Sequence, residues 1–112
     1  GIYNRGIGYM RIISQKKIKD FYIQPKYENV KTSLQQWYYM LQFRVYNSFA
    51  QLLEDFRDTV RVNGLYIFNI DKGAYKIATS ICFDTGCVYV RFVGITADYD
   101  SFIQERIQNG TT

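Results

Sequence analysis

The chain has no histidine. That removes the commonest general acid–base and the commonest metal ligand, so catalysis falls to Lys, Arg, Tyr or carboxylates. Proline occurs once, at Pro25. No apolar run approaches the ~18 residues that a membrane helix needs, so no membrane partner is expected. Cysteine occurs twice, at Cys82 and Cys87. The pair flanks "FDTG", which looks like a hairpin turn, so the two would face each other across neighbouring strands. A lone pair in a domain with no secretory segment reads as reduced and cytoplasmic. No third or fourth ligand type is grouped near them, so a zinc reading of the pair is weak.

What is present fits one domain. The 112 residues are 47% hydrophobic and 21% charged, ordinary values for a folded chain with a core. A domain of this size buries roughly two thirds of its unfolded surface. Aromatic content is high at 18%, with 11 Tyr and 8 Phe. Most of these rings belong in a small sheet core, and tyrosine also suits surfaces that bind. The net charge is +4 and the pI about 9.1, which mildly favours RNA or an acidic protein as partner.

The opening "GIYNRGIGY", residues 1 to 9, carries three glycines and no periodicity, and reads as a leader or non-native extension. The domain is expected over residues 10 to 112. "YMRII" is a first strand, and Ser14 caps a helix through "QKKIKDFYIQ". Pro25 ends that helix or shapes the following loop. A second helix runs from about Glu28 to Gln42, with Val30, Leu34, Trp37, Tyr38 and Leu41 on one apolar face. Ser48 caps a short third helix, residues 49 to 56. The period then changes to that of strands in "TVRV", "LYIFNI", "AYKIATSICF" and "CVYVRFVG". "NG" (63–64), "DKG" (71–73) and "DTG" (84–86) are tight-turn signatures, so the four strands form an antiparallel meander. A terminal helix starts at Thr96 or Asp98 and stops at "NG" (109–110). The fold class is α+β: an antiparallel sheet with two N-terminal helices packed on one face and a short C-terminal helix. The other face is left open for function.

Strand alternation selects residues for that open face. Tyr75, Ile77, Thr79, Ile81 and Phe83 alternate with Lys76, Ala78, Ser80 and Cys82. Val88, Val90 and Phe92 alternate with Cys87, Tyr89 and Arg91. Matching the apolar sets puts Lys76 and Arg91 on one open face of adjacent strands. A one-residue slip would undo this. Lys76, Arg91, Thr96 and Tyr99 are expected to converge near one end of the sheet, with Arg57 approaching the same edge. Each also has a bland reading: Arg91 a solvated residue on a wet face, Arg57 an ion pair with Glu54 or Asp55, and Tyr99 a helix-start ring packed on the sheet edge.

Several stretches together resemble the HigB-type toxins of the RelE/ParE superfamily. They are "MRIIS" with the lysine-bearing helix ending in Phe21 and Tyr22, "LQQWYYM", "LLEDFR", "IFNIDKGAYKI", "VYVRFVG" and "ADYD". The resemblance spans residues 10 to about 103. It implies a RelE-like fold and an mRNA interferase, a metal-free endoribonuclease that acts on mRNA on the ribosome and needs no cofactor. It also implies a cognate HigA-like antitoxin with a helix-turn-helix domain, through which alone DNA would be contacted. By position, Asn69, Lys76, Arg91, Tyr99 and Asp100 match family positions in or beside the active cleft. Where the family has Gly-Thr-His before Tyr-Asp, this chain has Gly94-Ile95-Thr96, so Thr96 occupies the histidine position. A degenerate toxin that binds antitoxin or RNA without cutting therefore stays open, as does a gyrase-directed toxin of the same fold.

Metal-free RNA cleavage needs a base for the 2′-hydroxyl, donors for the phosphorane and an acid for the leaving oxygen. Arg91, with Arg57, suits the electrostatic task. Tyr99 or Lys76 would handle protons, both starting near pKa ~10. Thr96 can bond a phosphate but cannot transfer protons as histidine does. Lys16, Lys17, Lys19 and Lys72 read as phosphate contacts or, equally, as a solvated helix face and turn.

Overall fold

The architecture follows from a switch in period between the two halves of the chain. The computed structural model describes residues 9 to 109. The expected leader lies outside these residues except for Tyr9, which is exposed. Strand β1 is Arg11–Ile13, followed by helix α1 at Lys16–Tyr22, a 3-10 helix at Pro25–Val30, α2 at Lys31–Gln42 and α3 at Phe49–Asp55. The strands β2 (Val60–Val62), β3 (Leu65–Ile70), β4 (Tyr75–Cys82) and β5 (Cys87–Ile95) come next, and α4 (Thr96–Gln108) closes the chain. The α+β class and the four-strand antiparallel meander are as expected. Pro25 opens the 3-10 helix at its first turn, where its missing N–H costs nothing. Ser48 caps α3, its Oγ accepting from Gln51 N at 3.2 Å. Ser14 does not cap α1. It takes a left-handed backbone (φ 70°) and Gln15 occupies the cap position without a side-chain bond.

The sheet order is β1-β5-β4-β3-β2. β1 runs parallel to β5, so the five-stranded sheet is mixed although every other pairing is antiparallel. One face carries the main core: Ile12, Phe68, Ile77, Val88 and Val90 pack with Ile18, Phe21, Leu34, Trp37, Leu41 and Leu52 of the helices. The opposite face, expected to be open, is partly covered. Leu65, Ile67 and Ala78 pack with Ile103 of α4, joined by Phe92, Tyr99 and Phe102. The C-terminal helix is thus not short; at 13 residues it is the longest described helix, because its apolar stripe has a second apolar sheet patch to bury.

A bulge explains that patch. Ala78 pairs with Phe92 but Thr79 pairs with Val90, so Arg91 is the extra residue. The alternation of β5 flips there. Val90 stays with the main core, whereas Phe92, expected beside it, crosses to the α4 side and stacks on Phe102 at 5.0 Å between ring centroids.

Candidate active site

The β3–β4 turn is held in an uncommon backbone. Asp71, Lys72 and Gly73 have φ of 51°, 59° and 93°. Only glycine takes the left-handed region without a Cβ penalty, so two ordinary residues in succession must be fixed by their surroundings. Two hydroxyls fix them from opposite sides. Ser33 Oγ at the start of α2 donates to Asp71 Oδ1 at 2.6 Å. Thr96 Oγ1 at the start of α4 donates to Gly73 O at 2.6 Å, and its backbone N–H donates to Ala74 O.

Beneath this turn lies a small polar cluster. Asn69 and Lys76 are directly paired across β3 and β4. Lys76 Nζ donates to Asn69 Oδ1, and Asn69 Nδ2 donates to Asp58 O at 2.9 Å. The ammonium also stands 5.9 Å from the centroid of the Tyr99 ring. A Cβ on Gly73 would approach Asn69 Oδ1 to 3.5 Å and Lys76 Nζ to 3.9 Å, so the turn lies directly against the pair. Tyr99 leans on Phe92 with 6.2 Å between centroids. Burial, and secondarily the charge of Asp100, raises its phenol above the ordinary value near 10. Tyr99 is therefore a neutral O–H donor at physiological pH.

Asn69 also joins the wall of an open cavity of about 300 Å³ lined by Ser33, Trp37, Phe56, Arg57, Asp58 and Asp71 among others. Arg57 is exposed there. The bland alternative for it, an ion pair with Glu54 or Asp55, is not seen among the described residues; Arg44 takes both carboxylates, at 3.3 Å from Glu54 and 3.4 Å from Asp55.

The structure thus brings together Lys76, Asn69, Tyr99 and Thr96, with Lys72 exposed on the turn above them. It does not bring Arg91 among them. Arg91 Nε donates to Ser80 Oγ at 3.0 Å and its guanidinium lies 5.3 Å from the Tyr89 ring. Ser80 is four residues along β4 from Lys76, roughly 13 Å at the usual strand rise. Arg91 instead lines a second groove with Lys17, Asp20, Phe21 and Gln24. Lys16 is paired with Asp20 at 2.7 Å, and Lys19 lines a third groove with Tyr22, Tyr38 and Tyr39. The expected single convergence is therefore split: Arg91 stands at the level of Ala78 and Thr79 and its side chain is engaged by Ser80 and Tyr89, away from the Lys76 end. Sequence reasoning missed the two clamps on the turn. Nothing in the sequence links Ser33 to Asp71. The Ser80 partner of Arg91 was within reach, since strand parity puts Ser80 on the same face as Lys76.

A family model described as HigB_toxin, the RelE-like toxic component of a toxin-antitoxin system, matches residues 30–102, well over half of the chain. This chain belongs to the HigB toxin family. No curated protein matches it. The HigB toxin match runs from the start of α2 into α4, and so contains both turn clamps, Asn69, Lys76, Arg91 and Tyr99. The fold is RelE-like accordingly, and an antitoxin is the partner that a toxin of this system implies. Among the described residues no group of three or more His, Cys, Asp or Glu side chains could hold a metal ion, and no helix is long and apolar enough to cross a membrane.

Proposed function

We propose that this HigB toxin is an mRNA interferase: an endoribonuclease that cuts mRNA on the translating ribosome by attack of the 2′-hydroxyl on the neighbouring phosphate, without a metal. The observation that carries the reading is the placement of the Lys76 ammonium between Asn69 Oδ1 and the Tyr99 ring, under a turn clamped from two sides. A cation held in place before substrate arrives stabilises a phosphorane without reorganising. Tyr99, neutral at physiological pH, serves as a proton donor to the phosphate or the leaving oxygen. Asn69 positions Lys76. Thr96 holds the turn through Gly73 O. Lys72 and Arg57 contact the RNA backbone beside the scissile phosphate, and Arg91 with Lys17 contacts it further along. Lys16 and Lys19 add weaker phosphate contacts. The toxin acts in the cytoplasm and is neutralised by a HigA-like helix-turn-helix antitoxin, which supplies the DNA contact of the complex.

A second reading has its own observation. No histidine exists to take the 2′-hydroxyl proton, and the hydroxyl of Thr96 at that position is committed to Gly73 O. A toxin that holds RNA or antitoxin without cutting follows from this. Mapping mRNA ends in a translation extract separates the two. Cleavage by the wild type that falls about 10²-fold or more in Lys76→Met, and much less in Arg91→Ala, supports the nuclease. Retention on ribosomes with intact mRNA selects the inert binder. Intact mRNA with altered DNA supercoiling selects a gyrase-directed toxin.

A further inference from the structure

At the far end of the sheet from Lys76, the β4–β5 hairpin presents its two cysteines as a pair. Cys82 and Cys87 are directly opposed in the β4–β5 register, with four residues between them. Directly opposed residues of antiparallel strands hold their Cα atoms about 4.5–5.5 Å apart, within the roughly 4.4–6.8 Å a disulfide spans. Cross-strand partners also project to the same side of the sheet. Both sulfurs gather on one loop residue. Cys87 Sγ donates to Thr85 O at 3.9 Å, and Cys82 is hydrogen-bonded by Thr85. Cys82 is exposed and Cys87 buried, and both thiols are free.

We propose that Cys82 and Cys87 form a site of reversible oxidation, an intramolecular cross-strand disulfide written by hydroperoxides and erased by thiols. The exposed Cys82 thiolate attacks the peroxide O–O bond, giving a sulfenic acid and releasing hydroxide or alkoxide. The Cys87 sulfur then attacks the sulfenic sulfur. The S–S bond forms, the S–O bond breaks, and water leaves with the Cys87 proton. Two thiols are oxidised by two electrons and one peroxide is reduced. The Thr85 side chain and backbone hydrogen bonds lower the pKa of Cys82, which favours it as the attacking sulfur.

The site bears on how β1 is held. Arg11 is the β1 partner of Cys87, and Arg11 N donates to Gly86 O at 2.8 Å in the same loop. The bond would lock the loop on which this three-residue strand docks. It lies six residues along β4 from Lys76, roughly 20 Å, so the inference stands apart from the proposed nuclease.

The test is intact-mass spectrometry of the full chain after brief treatment with substoichiometric hydrogen peroxide, with thiols alkylated after denaturation. The expected product is monomeric, lighter by about 2 Da, takes up no alkylating agent, and regains both thiols after dithiothreitol. Cys82→Ala, an exposed position that leaves the fold in place, should show no such mass loss. Oxygen addition on Cys82 with Cys87 still open to alkylation would overturn the inference. So would a disulfide found only between two chains.

Discussion

Tyr99 shows at the level of one residue how environment assigns a role. Its ring lies on Phe92 and faces Lys76, so a ring packed on the sheet, the bland reading, is also placed where the proposed role needs it. Its raised pKa keeps the phenol protonated through and beyond neutral pH. Tyr99→Phe keeps the packing and removes only the O–H. Cleavage should fall about 10²-fold while the thermal midpoint stays put, measured by end mapping and by calorimetry. Equal cleavage by the variant would remove Tyr99 from the chemistry. Gly94 makes a different point. It pairs with Lys76, and a Cβ there would sit 2.6 Å from Phe92 Cζ. The ring is pinned by Phe102, so it cannot swing clear without losing that stack. Gly94→Ala should cost about 1–3 kcal/mol in urea unfolding. Strand alternation puts Phe92 and Gly94 on one face, but only the fold shows the ring laid over the glycine and held there by Phe102.

Elements differ in how readily the sequence announces them. The meander is readable because each turn carries its own chemistry: Asn63-Gly64, Gly73 and Gly86 take the positive φ those residue types tolerate. The α3 cap was readable for the same local reason. Ser48→Ala should destabilise by about 1 kcal/mol, since α3 spans only seven residues and the Ser48 hydroxyl bonds one of its first free N–H groups. The bulge at Arg91 was hidden, because "VYVRF" alternates without interruption and the break exists only in the pairing with β4. The cover supplied by α4 was hidden for the same reason. With Phe92 assigned to the helix-covered face, the second apolar patch lacks one of its rings and that face reads as open. The clamp on the β3–β4 turn joins residues far apart in the chain, so only the fold reveals it. Thr96→Val removes the hydroxyl bond to Gly73 O and should cost about 1 kcal/mol. Hydrogen exchange should quicken at Ala74, whose N–H closes the turn on Asp71 O, and the rest of the sheet should stay protected. Uniform loss of protection would mean that Thr96 supports the whole fold and not the turn.

Across the whole molecule, the sheet separates two tasks. Its helix-covered face supplies stability, and its β3–β4 end supplies the polar cluster. The link between α2 and α3 belongs to the first task. Tyr46 is buried there, and its O–H donates to Asp55 Oδ2 at 2.7 Å. Arg44 bonds the same carboxylate and lies 4.7 Å from the Tyr46 ring centroid. Burial, then the hydrogen bond to Asp55, drives the Tyr46 phenol far above its ordinary value. The unfolded chain releases this proton near pH ~10, whereas the folded chain keeps it. Below pH ~10 both states hold the proton and the contribution is complete. Above it only the unfolded state has let go, so stability declines as pH rises toward the folded pKa. Tyr46→Phe removes the titrating group. The variant should lose about 1 kcal/mol at neutral pH, for the bond to Asp55, and then decline less steeply than the wild type between about pH 10 and 11. Urea midpoints collected from pH 7 to pH 11 would decide it. Parallel decline of the two proteins would mean that Tyr46 does not control the alkaline limit of this toxin.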